Sequence, residues 1–374
     1  MKQIFVLLIL ILMSLNSFSF EYPKNHSLLN NTEVKDSNAL YFSFDNSNFL
    51  WNNEFFSDII EGYTLIGYWI TPQLQYHFSP NIKINAGAHF LKYSGVDKFS
   101  EIVPTYSLQF SKKNYSVILG TLNGSIKHRM SDPLIFSERY FTQQIENGTQ
   151  FLLNKDKLWL DVWLDWQTFI FHNDNKQEQL VFGTNYIQQI FNNKHFKIEG
   201  VGSLLIGHQG GQIDTTNLNI KTLMNYAAGV SISKHINAKF LDDITLKSQY
   251  IGFIDNSPTM GSLYKQGFGF NNNLRFSKND SYFQFGYWSA NKFLSLMGHP
   301  IYQCESTVDN TLNKETRSLI TANIFYSKKL FKGIYLGLMS DIYYDTNSKE
   351  TDYSMGLTIM LKNDFFITRF KKDN

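Results

Sequence analysis

The sequence predicts an all-β fold, a transmembrane antiparallel β-barrel of about sixteen strands with short turns at one end and long loops at the other. Three observations lead there. Beyond the first twenty residues the apolar side chains recur at every second position rather than in helical stripes. Hydrophobic residues make up 43% of the 374-residue chain and aromatic residues 16%, yet past the N-terminal stretch no apolar run is long enough for a spanning helix. The breaks between alternating segments are short and long by turns.

In order along the chain, Met1-Lys2-Gln3 gives a small basic head to the apolar run Ile4–Met13, and Ser17-Phe18-Ser19 supplies small residues two apart. This reads as a secretory signal over 1–19. Residues 20–37, rich in Asn and charge, read as a periplasmic tail, 38–370 as the barrel and 371–374 as a C-terminal tail. An opening strand is expected around Ala39–Phe44. From Thr64 to Phe78, Ile66, Tyr68, Ile70, Leu74, Tyr76 and Phe78 share one face with Pro72, while Gly67, Trp69, Thr71, Gln73, Gln75 and His77 share the other. That period-2 split suits a wall with lipid outside and water inside. The same phase recurs at 82–93, 102–110, 158–168, 224–233 and 268–276, and a closing strand is expected over Asp352–Leu361. Tight polar turns at 79–81, 112–114, 155–157, 192–194, 235–237, 278–280 and 328–329 are assigned to the periplasm. The long connections near 46–62, 94–100, 123–147, 170–178, 208–220, 254–265, 294–313 and 346–350 then face outward. A soluble sandwich would need two fully apolar inner faces, which these strands lack.

A net charge of +2 excludes a nucleic-acid partner of the usual basic kind, and the single cysteine, Cys304, excludes a disulfide framework. With the leader, the polar-in alternation and the loop rhythm in place, the chain resembles the porin-like outer-membrane proteins of Gram-negative bacteria over its whole mature length. The likeness is architectural and matches no family-specific motif. It implies residence in the outer membrane among its lipids, delivery by periplasmic chaperones to the barrel assembly machinery, and a pore-like lumen.

Inward residues then suggest what the lumen would meet. On Leu158–Thr168 the inner face carries Trp159, Asp161, Trp163, Asp165 and Gln167, and Trp69, Gln73 and Trp288 share that phase. Carboxylates accept hydroxyl hydrogen bonds while indoles stack on pyranose faces, so these residues are candidates for holding a saccharide. The plainer account places the tryptophans in the interfacial girdle. The longest break holds Lys127, His128, Arg129, Asp132, Glu138, Arg139 and Glu146, a mixed-charge set suited to a constriction folded into the pore. A solvated loop explains such charges more simply. His299, Cys304 and Glu305 lack ligand spacing, so neither a metal nor another cofactor is expected.

The expected function is passage of small polar solutes, saccharides among them. The alternative is a non-conducting barrel whose outer loops bind a polysaccharide or a partner protein. Catalysis is not expected. His77-Phe78-Ser79 loosely resembles the His-x-Ser of outer-membrane phospholipases but falls at a periplasmic turn, and Asp161 and Asp165 lie roughly 13 Å apart along a strand, too far for a hydrolytic pair.

Overall fold

The computed structural model describes residues 37–211, 213–309 and 311–371. The expected leader, all of the N-terminal tail but Ser37, and residues 372–374 lie outside the described residues. Sixteen strands follow one another: β1 (Ala39–Glu54), β2 (Tyr63–Ser79), β3 (Ile82–Tyr93), β4 (Glu101–Lys112), β5 (Tyr115–Thr121), β6 (Asn147–Lys155), β7 (Leu158–Thr168) and β8 (Gln179–Asn192) form the first half. The second half is β9 (Phe196–Gln209), β10 (Lys221–Ala238), β11 (Leu241–Asp255), β12 (Gln266–Lys278), β13 (Ser281–Asn291), β14 (Thr316–Phe331), β15 (Ile334–Asp345) and β16 (Thr351–Arg369). Each pairs antiparallel with the next, and β16 returns to β1, so no edge is left open at the seam.

The alternation explains why these segments form a wall. Ile66, Leu74 and Phe78 of β2, Ile102 and Tyr106 of β4, and Phe268 and Phe270 of β12 are exposed on the outside, where lipid replaces water. Trp69, Thr71 and His77, then Thr105, Ser107 and Gln109, then Asn271, are buried on the inside. Two strands run further than the sequence suggested. β1 continues to Glu54 because Phe49, Trp51 and Asn53 stay in the inward phase, which shortens the first loop to 55–62. β16 continues past Leu361 to Arg369, whose partner is Ala39, so the aromatic run Phe365-Phe366 lies within the closing strand.

Two of the outer loops fold inward. The segment between β5 and β6 carries a 3-10 turn, Ser125–His128, and the one-turn helix α1, Arg139–Thr142. Tyr140 and Phe141 of α1 are buried with Phe49, Trp51, Trp69 and Met360. The segment between β13 and β14 carries a 3-10 turn at Pro300–Tyr302. These two segments meet: Ile135 bridges Met297, and Ser295 Oγ donates to Pro133 O at 2.7 Å. With them the inward side chains form one apolar cluster from Ile118 through Trp163, Leu205, Ile251 and Trp288 to Tyr343. Trp163, Trp288 and Tyr343 are 1%, 0% and 2% exposed, so the lumen at this level is packed like a protein core.

The wall is uneven where the first loop enters. β5 has 7 residues and β6 has 9, against 12 for β4 and 11 for β7. At about 3.3 Å per residue and a tilt of about 45°, β5 rises only about 16 Å, less than the roughly 25 Å apolar band of such barrels. Its periplasmic end is pinned at the Lys113-Asn114 turn, so the deficit falls in the outer leaflet. There Glu101–Thr105 of β4 pair with β3 but have no β5 partner, Tyr106 reaches β5 through its amide on Thr121 Oγ1 at 3.1 Å, and β7 runs past Gly148 of β6. The result is a notch in the wall, closed only by the chain that turns inward at Leu122 and returns at Glu146, where Leu122 N donates to Glu146 O at 2.9 Å.

Val230 lies mid-strand on the lipid face of β10 and Gln73 on the inner face of β2. Val230→Arg should cost about 2–4 kcal/mol of insertion free energy and Gln73→Arg close to none. Heat-modifiable gel migration after refolding into vesicles reads this; equal tolerance of the two would reverse the assigned faces.

Candidate functional site

Directly behind the notch, His128 is fully buried between two carboxylates. Its Nδ1 lies 2.7 Å from Asp161 Oδ2, on β7, and its Nε2 lies 2.7 Å from Glu146 Oε2, at the loop's return. Acceptors on both nitrogens require protons on both, so the ring is an imidazolium. Burial alone would lower its pKa; the charges of Glu146 and then Asp161 outweigh burial and push it up to about 9. Against its own burial, the Glu146 carboxyl is held below the usual range by His128. Arg139 of α1 approaches Glu146 at 3.8 Å, so the two acids face two bases and the buried group is close to neutral. The imidazole also lies flat on Trp163, with centroids 3.5 Å apart and planes 10° from parallel.

The remaining polar atoms are mostly satisfied. Gln150 Nε2 donates to Asp161 Oδ1 at 2.9 Å, and Asn185 Nδ2 donates to the His128 carbonyl at 2.8 Å. Asp165, the inward residue after Trp163 on β7, accepts from the Asn147 amide at 2.9 Å. Glu146 Oε1 accepts from the Ser125 amide at 3.0 Å, so one carboxylate spans a backbone N–H and the imidazole. Trp163 Nε1 and Arg139 Nε find no partner, and neither does Ser125 Oγ. Ser125 is a non-glycine residue at φ +58°, and its hydroxyl is buried. The strained backbone costs about 1–3 kcal/mol, and the orphaned hydroxyl a similar amount. Gly124 before it is required by packing, because a Cβ there would stand 2.7 Å from the Glu146 carboxylate.

The residues singled out from the sequence are spread over this interior. Asp161, Trp163, Asp165 and His128 come together in one cluster. Trp159 lies beneath Arg129, whose guanidinium sits 4.3 Å from the ring centroid. The indole faces set aside for a sugar are thus covered by the loop's own His128 and Arg129. Trp69 packs on His89 and Tyr140, and Gln73 donates to Thr105 at 3.0 Å. Trp288 stands with the second inward loop and donates to Tyr302 O at 3.0 Å. Lys127 has its pKa lowered to about 8, by burial and then by Lys362. Glu138 accepts from Tyr63 at 2.6 Å and Asn53 at 2.8 Å, with its carboxyl raised by burial. The Asp132 carbonyl accepts from the His299 amide at 2.8 Å. His299 contrasts with His128: packed on Phe136 with centroids 3.9 Å apart, it is lowered by burial to about 3 and stays neutral.

Ser125 was not among the sequence candidates, and Glu146 was counted only as one of the loop's charges. A Gly-Ser pair at a strand end with a histidine three residues on was the available signal. The apolar environment continues to the surface. Trp166 and Tyr106 flank the notch on its two sides, and Phe169 and Phe171, 58% and 72% exposed, pack edge-on just beyond β7.

Known proteins share this architecture. OpdL of Pseudomonas aeruginosa superposes with a TM-score of 0.52 at 11% identity, over 88% of this chain and 99% of its own. OprD, an outer membrane protein from Pseudomonas aeruginosa, gives 0.50 at 7%, over 90% and 96%. A loop L8 deletion mutant of OmpT, an outer membrane protein of Vibrio cholerae, gives 0.51 at 11%, over 87% and 100%. At such identities the likeness concerns the fold alone: this is a porin-like barrel of the outer membrane. No curated protein matches the chain. The family described as lipid A 3'-O-deacylase-type matches residues 32–370. That description names an enzymatic activity and corrects the expectation that the chain is not an enzyme. The sequence reading weighed Asp161 only against Asp165 on its own strand, whereas the folded loop gives Asp161 a histidine. By this match over nearly the whole barrel, the chain belongs to the lipid A 3'-O-deacylase-type family.

Proposed function

We propose that the protein hydrolyses an acyl ester of a lipid A-type saccharolipid in the outer leaflet, with His128 as the proton-transferring group. The observation that carries this reading is the position of the His128–Asp161 pair on the lumen side of the notch. There a lipid moving in the membrane plane would reach the cluster through the gap between β4 and β7. Asp161 on Nδ1 fixes the ring and leaves Nε2 to exchange a proton with the reacting oxygen. In the resting structure Glu146 occupies that position, bonded to both Nε2 and the Ser125 amide. An ester carbonyl that displaced this carboxylate would meet the same amide N–H, a donor suited to a developing oxyanion. Removal of Glu146 would also withdraw one of the charges that keep His128 protonated, turning it into a base as substrate enters. The exposed Phe169, Phe171, Trp166 and Tyr106 support a substrate with acyl chains.

Transport of small polar solutes is the second reading. It draws on the porin-like fold, and the buried lumen cluster of Trp163, Trp288 and Tyr343 weighs against it.

Purified protein in mixed micelles with lipid A should release fatty acid, followed by mass spectrometry. His128→Ala and Asp161→Asn should each slow release by about 10²–10⁴-fold. Failure of the wild type to release any fatty acid would sink the proposal. The rate should rise with pH up to about 9, because the working form of His128 is the one that has lost its proton. Glu146→Gln should move that rise to lower pH by removing a charge that favours the imidazolium. In a planar bilayer the wild type should carry no steady current; an open-channel current would restore the transport reading.

A further inference from the structure

We infer that Ser125 is the nucleophile and that deacylation passes through an acyl-serine. This rests on the hydrolase reading above and specifies its chemistry. Three features of Ser125 converge. Its backbone is held at φ +58° at the head of the short 3-10 turn that follows β5, a strained conformation of the kind that projects a nucleophile in serine hydrolases with a strained elbow. Its hydroxyl is buried without a partner, although a serine in a structural role at such a turn would bond to a nearby carbonyl or amide. Its amide and His128 Nε2 are bridged by the two oxygens of one carboxylate, Glu146, which sets the residue beside the imidazole.

The Ser125 amide completes the arrangement. It already donates to Glu146 Oε1, while Glu146 Oε2 meets His128 Nε2. The carboxylate therefore lies where the carbonyl of a bound ester would lie between an oxyanion donor and the base, and the donor belongs to the residue that attacks. Gly124 leaves room for that carboxylate and would leave the same room for the ester.

As the ester enters, Glu146 withdraws carrying the Nε2 proton as a neutral carboxyl; Ser125 Oγ then attacks the acyl carbonyl carbon and its proton passes to the freed His128 Nε2. The tetrahedral intermediate collapses by breaking the bond from that carbon to the sugar oxygen, which leaves with the proton from Nε2. Water then gives a proton to Nε2 and attacks the acyl-serine. The fatty acid departs and the proton returns to Ser125 Oγ.

The test uses the mature protein in detergent micelles, with folding checked by heat-modifiable migration. Ser125→Gly removes the hydroxyl while suiting the positive φ, so it should fold at least as well as the wild type and release fatty acid from lipid A about 10³-fold more slowly or worse. A long-chain fluorophosphonate should add one adduct to the Ser125 peptide of the wild type and none to Ser125→Gly. Release at the wild-type rate by folded Ser125→Gly would overturn the nucleophile and leave His128 activating water directly, with the hydrolase reading intact. An active wild type that the phosphonate does not label at Ser125 would do the same. A wild type that releases no fatty acid would remove both readings together.

Discussion

A buried imidazolium holds the inserted loop to the barrel wall. His128 is on the loop, Asp161 is on β7, and Glu146 is where the loop rejoins the sheet, so the two hydrogen bonds of one ring close the loop upon itself and upon the wall at once. Isolated charges could not be buried here, since each would forfeit several kcal/mol of hydration. Gathered with Arg139 and backed by the Trp163 ring, they offset one another. Removal of any one partner leaves the others uncompensated, at about 3–5 kcal/mol for a buried pair. The rest of the lumen packing depends on that placement. Only when the loop is held inward do Tyr140 and Phe141 reach Phe49 and Trp51, and Ile135 reach Met297.

The two inward segments settle differently because their surroundings differ. The first meets acids on the wall and brings a charged histidine to them. The second enters among Phe55, Tyr343 and Phe136 of the first segment, and its His299 is neutral, accepting from the Ile301 amide at 3.2 Å. Trp288 and Arg317 hold this second segment from the wall through the carbonyls of Tyr302 and Ile301. The interior thus combines one anchor built on a charged histidine with one built on wall donors to backbone carbonyls, and the two segments touch at Pro133 and Ser295.

The wall was legible in the sequence because its physics is local. Alternation at Ile66 to Phe78 reports which medium each face meets, and a turn such as Lys278-Asn279-Asp280 reports where the strand stops. The limits of β1 and β16 were misjudged for a related reason: Asn46 and Asn48 are polar on the lipid face, and Asn363 interrupts the lipid-facing pattern near the seam. The site was legible only in pieces. Asp161 and Trp163 announced their inward direction, and His128 stood out as a loop histidine, but their meeting depends on a loop path that no periodicity encodes. Ser125 carried still less signal, since its interest lies in a backbone angle and a missing partner.

The unequal height of the wall has a consequence for the membrane itself. β16 spans 19 residues and β5 only 7, so the apolar girdle is not a band of constant width but one that narrows around the circumference toward β5 and β6. Lipids must match the girdle locally, at a cost of fractions of a kcal/mol per Å of mismatch. Beside the notch they meet it by thinning, which lowers the outer headgroups toward the loops and crowds out straight, fully extended chains. The barrel therefore bends its solvent before it binds anything from it. Any lipid diffusing into that sector meets a thinner hydrocarbon layer than it meets elsewhere around the barrel.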